Sequence, residues 1–215
     1  MKIVFVLFPD LTQLDFTGPL QVLSRLKGAH CVLAAKSMAP VATDSVMTIN
    51  PTATFDDCPQ ADIICVPGGF GVADAVADAP TVGFIREQAL GAKYCTSVCT
   101  GAFLLGVAGV LHGKRATTHW AYHDFLGIVG AMPVRERVVR DGAIMTGGGV
   151  TAGIDFAFDL TAAIAGEDFA KALQLGLEYD PAPPFNAGAP HSAPPDIASR
   201  VRSYYDDRSQ AFAAK

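Results

Sequence analysis

Apolar segments alternate with helical patterns along most of this chain, and this alternation limits its fold more than any other feature. Residues 2–8, 30–35, 62–66 and 94–98 are short, mostly apolar segments, as expected of strands that are buried on both faces of a sheet. Buried strands that alternate with helices form a mostly parallel sheet. The sequence therefore predicts an α/β fold with helices covering both faces.

Apolar residues recur at helical spacing in the segments between and after these strands. Helices are predicted at residues 16–27, 81–91, 102–110, 119–125 and 151–165, with a further helix that runs to about residue 176. A short hairpin is predicted at residues 41–49. Residues 134–140 and 143–146 are predicted to pair as strands around the turn dipeptide Asp141-Gly142.

The length of 215 residues suits one domain with a substantial core. Half of the residues are apolar and 17% are charged, which excludes a disordered chain. Residues 1–179 are predicted to form the catalytic part. Residues 180–215 are predicted to belong to the same domain, as a proline-rich tail that wraps the surface and ends in a short docked helix.

Charge and cysteine content exclude several classes of partner. The net charge is −5 and no cluster of Lys or Arg stands out, so we expect neither nucleic acid nor an anionic membrane as a partner. The N-terminal apolar segment is too short to span a membrane and lacks a small-residue cleavage site, which predicts a cytoplasmic protein. The five cysteines follow no metal-ligand spacing, so no metal site is predicted.

Ligand sites in open parallel sheets lie beyond the carboxyl ends of the strands. That rule selects four segments: residues 10–15, 67–70, 99–100 and 147–150.

Cys99 is the residue in these segments that most clearly points to chemistry. It lies in Ser97-Val98-Cys99-Thr100-Gly101, between a predicted strand and a predicted helix, with small residues two positions away on either side. This pattern is typical of a nucleophile elbow, a tight and strained turn that aims the side chain out of the sheet. A helix N-terminus at that point favours the thiolate, which is the nucleophilic form. The remaining cysteines are interpreted as buried structural thiols: Cys31, Cys58, Cys65 and Cys95.

Asp15 is the second candidate, because it follows the first strand at the same edge of the sheet. Apolar neighbours indicate partial burial, which raises the pKa of a carboxyl group and lets it hold a proton. The alternative is a helix N-cap, a position that aspartate favours, and the two roles are compatible.

Glycines and one histidine complete the candidate site. Pro67-Gly68-Gly69-Phe70-Gly71 lacks the Lys and the Ser/Thr of a phosphate loop, so it is interpreted as an oxyanion-type pocket facing Cys99 or as an ordinary tight turn. A cysteine hydrolase normally has a histidine base. His119, beside Trp120, is the candidate at this edge, although a structural role is the favoured interpretation.

Taken together, these residues resemble the ThiJ/PfpI superfamily over nearly the whole chain. The resemblance rests on Pro67-Gly68-Gly69, Ser97-Val98-Cys99-Thr100-Gly101-Ala102, Thr117-Thr118-His119-Trp120 and Gly153-Ile154-Asp155. Asp15-Phe16-Thr17-Gly18-Pro19 and residues 179–185 are similar to the branch that includes isonitrile hydratases and the sensor domains of AraC-type regulators. The proteases of the superfamily carry His directly after the cysteine, and here that residue is Thr100, which argues against peptidase activity.

The resemblance implies a flavodoxin-like three-layer sandwich, a homodimer, and hydration of a small isonitrile to an N-substituted formamide without metal or organic cofactor. It implies a Cys99 thioimidate, with Asp15 as general acid and base and Thr100 as a further catalytic residue. Substrate-binding roles are expected of Gly69, Phe70, Gly148, Val150, His119 and Trp120. The alternatives are glyoxalase-like or amidase-like work by the same cysteine, or a ligand or redox sensor related to the regulators.

Overall fold

The computed structural model describes residues 1–213, with the side chains of residues 1–206. The strands are β1 (Lys2–Val6), β2 (His30–Ala35), β3 (Val41–Ala42), β4 (Thr48–Ile49), β5 (Ala53–Thr54), β6 (Ile63–Val66), β7 (Tyr94–Val98), β8 (Arg115–Ala116), β9 (Met132–Pro133), β10 (Val138–Asp141) and β11 (Ile144–Gly147). The helices are α1 (Gln13–Leu23), α2 (Val72–Ala75), α3 (Ala79–Gly91), α4 (Gly101–Val107), α5 (Ala152–Ala165), α6 (Glu167–Gly176) and α7 (Pro195–Ala213), with a 3₁₀ helix at Trp120–Val129.

Seven of the strands form one central sheet in the order β10-β11-β7-β6-β1-β2-β5. Every neighbouring pair is parallel except β10 and β11, which are antiparallel. β1 lies inside the sheet, and its residues Ile3 and Val4 are completely buried. Helices flank the sheet: α1 packs on α5 and α5 on α6, while α4 packs on α2 and α3. The predicted α/β sandwich with a mostly parallel sheet is confirmed.

The parallel strands β1, β6, β7 and β11 are neighbours, so their carboxyl ends meet at one edge of the sheet. The loop after β1 forms a bridge to the loop after β6 through Leu11 and Gly69. The loop after β7 is joined to the end of β11, because the Cys99 N–H donates to the carbonyl oxygens of Gly147 (3.1 Å) and Gly148 (2.8 Å). Three loops that are distant in the sequence thus converge on Cys99.

Several element boundaries differ from those that the sequence predicts. β1 ends at Val6 although Leu7 and Phe8 stay buried, because the chain leaves the ladder there and turns toward the site. α3 begins at Ala79, where the Asp78 side chain caps the helix by accepting from the Thr81 N–H. The strand predicted at 134–140 begins only at Val138, and the segment predicted as a helix from 119 is a 3₁₀ helix.

Helix α1 begins earlier than the pattern indicates, and this changes the interpretation of Asp15. Thr12 occupies the N-cap position, so the predicted capping role of Asp15 is wrong. Asp15 lies in the first turn and is buried. Pro19 lies inside the helix, and its ring packs closely against α5 at Gly153, which has no side chain to obstruct it.

The tail ends in a longer helix than expected, since α7 spans 19 residues. It packs against the 3₁₀ helix, and the Arg202 guanidinium donates to the Ala121 carbonyl oxygen (2.7 Å). Among residues 1–213, no helix combines the length and the apolar character needed to cross a membrane.

Candidate active site

Cys99 occupies the turn between β7 and α4 with a backbone φ of 56°, in the left-handed region that L-residues rarely adopt. Such a conformation costs a non-glycine residue roughly 1–2 kcal/mol. The surrounding hydrogen bonds hold it in place: Gly147 and Gly148 accept from its N–H, and the Thr118 hydroxyl donates to its carbonyl oxygen (2.7 Å). The side chain is 6% exposed. This backbone therefore fixes the sulfur at the bottom of a cavity.

Asp15 lies beside Cys99 and is 2% exposed. Its Oδ2 accepts a hydrogen bond from the Gly68 N–H (2.9 Å), whereas its Oδ1 is buried and has no hydrogen-bond partner among the described residues. A Cβ atom on Gly68 would lie 2.9 Å from Asp15 Oδ2 and 2.6 Å from the Thr100 N atom. Only glycine fits at position 68 because the carboxyl group and the loop after β7 both approach the backbone so closely.

Burial sets the protonation of this pair. Desolvation raises the pKa of Asp15 from 3.8 to about 7, although the hydrogen bond from the Gly68 N–H and the neighbouring Cys99 thiol oppose the rise. Desolvation and the negative charge of Asp15 raise the pKa of Cys99 well above 9.0, while the Thr100 N–H and hydroxyl act in the opposite direction. Burial and the neighbouring carboxyl group thus oppose the thiolate that the sequence predicts at this helix N-terminus. Near neutral pH the pair shares one proton, which resides mainly on sulfur.

The Thr100 side chain and the Gly69 backbone are joined by hydrogen bonds. The Gly69 N–H donates to Thr100 Oγ1 (3.0 Å), and that hydroxyl lies 3.3 Å from the Gly69 carbonyl oxygen. The Gly68 N–H donates to Asp15 and the Gly69 N–H donates to Thr100. Both N–H groups are therefore already used in hydrogen bonds within the protein. The oxyanion-type pocket that the sequence predicts at this loop is therefore not built from those donors. The loop orients Asp15 and Thr100 instead.

A cavity of about 160 Å³ opens above the sulfur. Four of the six predicted substrate-binding residues line it together with Cys99 and Thr100: Gly69, Phe70, His119 and Val150. Asp15 lies behind the sulfur and does not line the cavity. The remaining lining residues were not predicted as site residues: Thr12, Asp44, Tyr122 and Tyr205.

Gly148 and Trp120, the other two predicted substrate-binding residues, line a larger adjoining groove of about 640 Å³. Gly148 has a backbone role, because its carbonyl oxygen accepts from Cys99 and its N–H donates to the Arg137 carbonyl oxygen (2.8 Å). His119 and Val150 line both the groove and the cavity. These two residues therefore form the wall between them.

His119 is neutral at physiological pH. Burial, together with a smaller effect of the charge of Arg202, lowers its pKa from 6.5 to about 4. Its Nδ1 atom accepts from the Ala121 N–H (3.3 Å), and its ring lies 4.8 Å from that of Tyr205. A pKa this low is unsuited to a general base at pH 7. The favoured structural interpretation of His119 agrees with this geometry.

A model of the DJ-1/PfpI family matches residues 1–163, which include every residue of the predicted site. The chain belongs to the DJ-1/PfpI family. The resemblance to the ThiJ/PfpI superfamily is thereby confirmed.

Relatives of this DJ-1/PfpI protein include enzymes and regulators. The isonitrile hydratase of Pseudomonas putida is 53% identical over 202 residues, which cover 94% of this chain and 89% of that protein. A ThiJ/PfpI family protein from Pseudomonas syringae has a crystal structure that matches with a TM-score of 0.96 at 40% identity, covering 99% of this chain and 89% of that chain. The transcriptional regulator CdhR of Pseudomonas aeruginosa is 29% identical over 174 residues, covering 77% of this chain and 51% of the regulator.

The other cysteines of this DJ-1/PfpI protein have no comparable setting. All five are free thiols, and all lie within the part of the chain that the structure describes. Burial raises the pKa of Cys65 to about 12 and that of Cys58 and Cys95 to about 11 each. Among the described residues, no group of three or more His, Cys, Asp or Glu side chains is arranged to hold a metal ion.

Several residues around the site of this DJ-1/PfpI protein were not identified as site residues from the sequence. Thr118 belongs to a motif that the sequence analysis singles out, but nothing in its spacing indicates a bond to the Cys99 carbonyl oxygen. Tyr205 has the helical spacing of a docked terminal helix, yet spacing alone does not reveal which pocket such a helix covers. Thr12 and Asp44 carry no sequence signal. They meet because their two loops are joined by the Asp44 N–H, which donates to the Leu11 carbonyl oxygen (3.0 Å), and by Thr12 Oγ1, which donates to Asp44 Oδ2 (2.6 Å).

Proposed function

We propose that this protein is an isonitrile hydratase, which converts an isonitrile and water to an N-substituted formamide. The observation that carries the proposal is the pair of Cys99 and Asp15: a nucleophile and an acid/base group share one proton at the bottom of a small cavity. The strained turn at Cys99 has the character of a nucleophile elbow. The 53% identity to the hydratase of Pseudomonas putida supports the same substrate class.

The first half of the reaction forms a covalent intermediate. The Asp15 carboxylate accepts the proton of the Cys99 thiol while the sulfur attacks the terminal carbon of R–N≡C. Asp15 then returns this proton to the same carbon. The product is a thioimidate, R–N=CH–S–Cys99, and Asp15 is a carboxylate again. One carboxyl group performs both transfers because its pKa of about 7 matches neutral pH.

The second half hydrolyses this intermediate. Asp15 accepts a proton from water as the water oxygen adds to the carbon. Asp15 then donates this proton to the nitrogen, which gives R–NH–CH(OH)–S–Cys99. The C–S bond then breaks as the hydroxyl proton passes through Asp15 to sulfur. The products are R–NH–CHO and the original thiol, so the sum is one isonitrile and one water per formamide. The Thr100 hydroxyl and N–H lie beside the sulfur and stabilise it as it departs.

The charges around the cavity favour an uncharged substrate. Asp15 lies behind the sulfur and Asp44 lines the opening, so an anionic substrate meets repulsion from both carboxylates. His119, the histidine in the lining, is neutral at pH 7. An isonitrile has no net charge and needs no metal or cationic partner to bind here.

Turnover of an aryl isocyanide tests the proposal directly. We expect the purified protein to convert 4-nitrophenyl isocyanide to the corresponding formanilide, with one formamide formed for each isonitrile consumed. The measurement is absorbance together with chromatographic identification of the product, against buffer and heat-denatured protein. Absence of formamide would contradict the proposal, and disappearance of methylglyoxal would favour the glyoxalase-like alternative.

The pH dependence of kcat/KM follows from the raised pKa of Asp15. Below about pH 7 both Asp15 and Cys99 carry protons, so the thiol has no base; above it the pair holds one proton, which is the reactive form. We expect kcat/KM to rise about tenfold per pH unit up to pH 7 and then to stay level while Cys99 keeps its proton. Initial rates between pH 5.5 and 9, corrected for acid-catalysed hydrolysis of the substrate, measure this. A flat profile would contradict the assignment of Asp15.

A homodimer, a cytoplasmic location and the division at residue 179 stay predictions. No contact or charge in the cavity favours the regulator-like sensor over the enzyme.

A further inference from the structure

The cavity above Cys99 has two chemically different sides. Cys99 and Thr100 form its floor, and aromatic rings form much of its wall. Tyr205 lies at the centre of that wall, with its ring 4.8 Å from His119 and 5.9 Å from Tyr122. Tyr205 comes from α7, beyond the residues 1–163 that the family model matches.

Helix α7 is held over the site by specific contacts near Tyr205. The Arg202 guanidinium donates to the Ala121 carbonyl oxygen at 2.7 Å and lies 4.8 Å from the centre of the Trp120 ring. Tyr205 also packs edge-on against Trp120, with 6.2 Å between ring centres. Most other described residues of α7 are exposed or half-buried. Arg202 therefore anchors the helix, and Tyr205 is the α7 side chain that reaches the cavity.

The cavity is small for a ligand site. At about 160 Å³ it is well below the roughly 300–1,000 Å³ typical of pockets for drug-sized ligands. The aromatic side of its wall carries no charge, since His119 is neutral at pH 7, and the carboxyl group of Asp44 lies elsewhere in the lining. A substrate held with its reactive carbon at the sulfur must place its substituent against this aromatic wall.

We propose that Tyr205 is a specificity-determining residue, which restricts the cavity to isonitriles with compact, uncharged substituents, and that Arg202 is the positioning residue that holds it there. This inference rests on the proposed function for the identity of the substrate. The part of the inference that concerns access to Cys99 is independent of the proposed function, because the Tyr205 ring limits the approach of any reagent to the sulfur.

Alkylation of Cys99 tests the wall without hydratase turnover. The full-length protein is treated at pH 8 with iodoacetamide or with the bulky 5-iodoacetamidofluorescein, and modification is followed on the Cys99 peptide by mass spectrometry. We expect Tyr205→Ala to raise the ratio of two rates, alkylation by 5-iodoacetamidofluorescein over alkylation by iodoacetamide, about tenfold or more. Tyr205→Phe keeps the ring and is expected to leave the ratio at the wild-type value. Phe185→Ala is the matched control, because Phe185 is an exposed aromatic residue that does not line the cavity. Tyr204 is unsuited as a control, because its ring packs edge-on against Tyr205 with 5.3 Å between ring centres.

Arg202→Met and Arg200→Met form a second matched pair. Arg200 is exposed on the same helix, so its replacement is expected to change nothing, whereas Arg202→Met is expected to raise the ratio in the direction of Tyr205→Ala. Thermal unfolding by circular dichroism verifies that each variant is folded. An unchanged ratio in Tyr205→Ala, or an equal rise in Phe185→Ala, would overturn the proposal.

Hydration of two isonitriles completes the design. We expect Tyr205→Ala to lower KM for 1,1,3,3-tetramethylbutyl isocyanide relative to methyl isocyanide, with a smaller change in kcat. If wild-type protein hydrates neither compound, the proposed function fails while the alkylation ratio still decides the role of Tyr205. If both compounds are hydrated and Tyr205→Ala leaves their relative KM unchanged, the specificity role is wrong and the function stands.

Discussion

Cys99→Ala is expected to abolish isonitrile hydration, with a loss in kcat of at least about 10⁴-fold. Alanine removes the atom that attacks the terminal carbon, and none of the other described cysteines lines the cavity. The fold should survive the substitution. The backbone at position 99 is held by Gly147, Gly148 and Thr118 through its N–H and carbonyl oxygen, which alanine retains.

The covalent intermediate gives this prediction a readout beyond rate. Rapid acid quenching of wild-type protein during turnover is expected to trap the substrate mass on the peptide that contains Cys99, and Cys99→Ala should show no such adduct. Cys58→Ala is the matched control, because Cys58 is half-buried outside the cavity and burial raises the pKa of its thiol to about 11. Turnover by Cys99→Ala, or an adduct on another cysteine, would show that the nucleophile is wrongly assigned.

Much of this site was predictable because the carboxyl ends of parallel strands meet at one edge. Continuous apolar segments identified β1, β6 and β7 as buried strands, so the residues that follow them had to converge. That argument places Asp15 and Cys99 together, and in the structure they are close enough for each to shift the pKa of the other.

The protonation of the pair was not predictable from the same pattern. A helix N-terminus favours a thiolate, but α4 is only seven residues long and Cys99 is buried against a carboxyl group. Desolvation and repulsion between like charges then outweigh the helix, and both depend on tertiary packing.

The glycine loop and the terminal helix illustrate a second limit. Sequence identifies Gly68 and Gly69 as backbone donors near the site, but not their partners, which prove to be Asp15 and Thr100. Tyr205 belongs to a pattern that predicts a docked helix, and where such a helix docks is decided by contacts such as Arg202 on Trp120. Local patterns specify elements, whereas long-range contacts decide which element covers the cavity.

Asp15→Asn is expected to destroy activity and to stabilise the protein. The amide cannot exchange protons with the sulfur or with water, so a loss in kcat of about 10²–10⁴-fold or more is expected. Asparagine keeps an oxygen for the Gly68 N–H while removing a charge that is 98% buried by area, since Asp15 is 2% exposed.

The stability gain has a defined dependence on pH. In the unfolded chain Asp15 loses its proton near pH 3.8, whereas in the folded protein it keeps the proton until about pH 7. Its stabilising contribution is therefore fully present below pH 3.8 and is lost as the pH rises to about 7. The difference corresponds to a cost on the order of 4 kcal/mol above pH 7, which the uncharged asparagine avoids.

Urea unfolding of wild type and Asp15→Asn at pH 4 and pH 8 measures this difference. We expect the two proteins to differ little at pH 4, and the variant to be more stable by a few kcal/mol at pH 8. Asp56→Asn is the control: Asp56 is exposed, so its replacement should change the free energy of unfolding by less than about 0.5 kcal/mol at either pH. Asp15→Glu keeps the charge but alters its reach, and should impair rate more than stability. An Asp15→Asn protein that is less stable than wild type at pH 8 would mean that the carboxylate supports the fold. Asp15 would then have a structural role, and the proposed hydration would lack a carboxyl group with a raised pKa to act as acid and base.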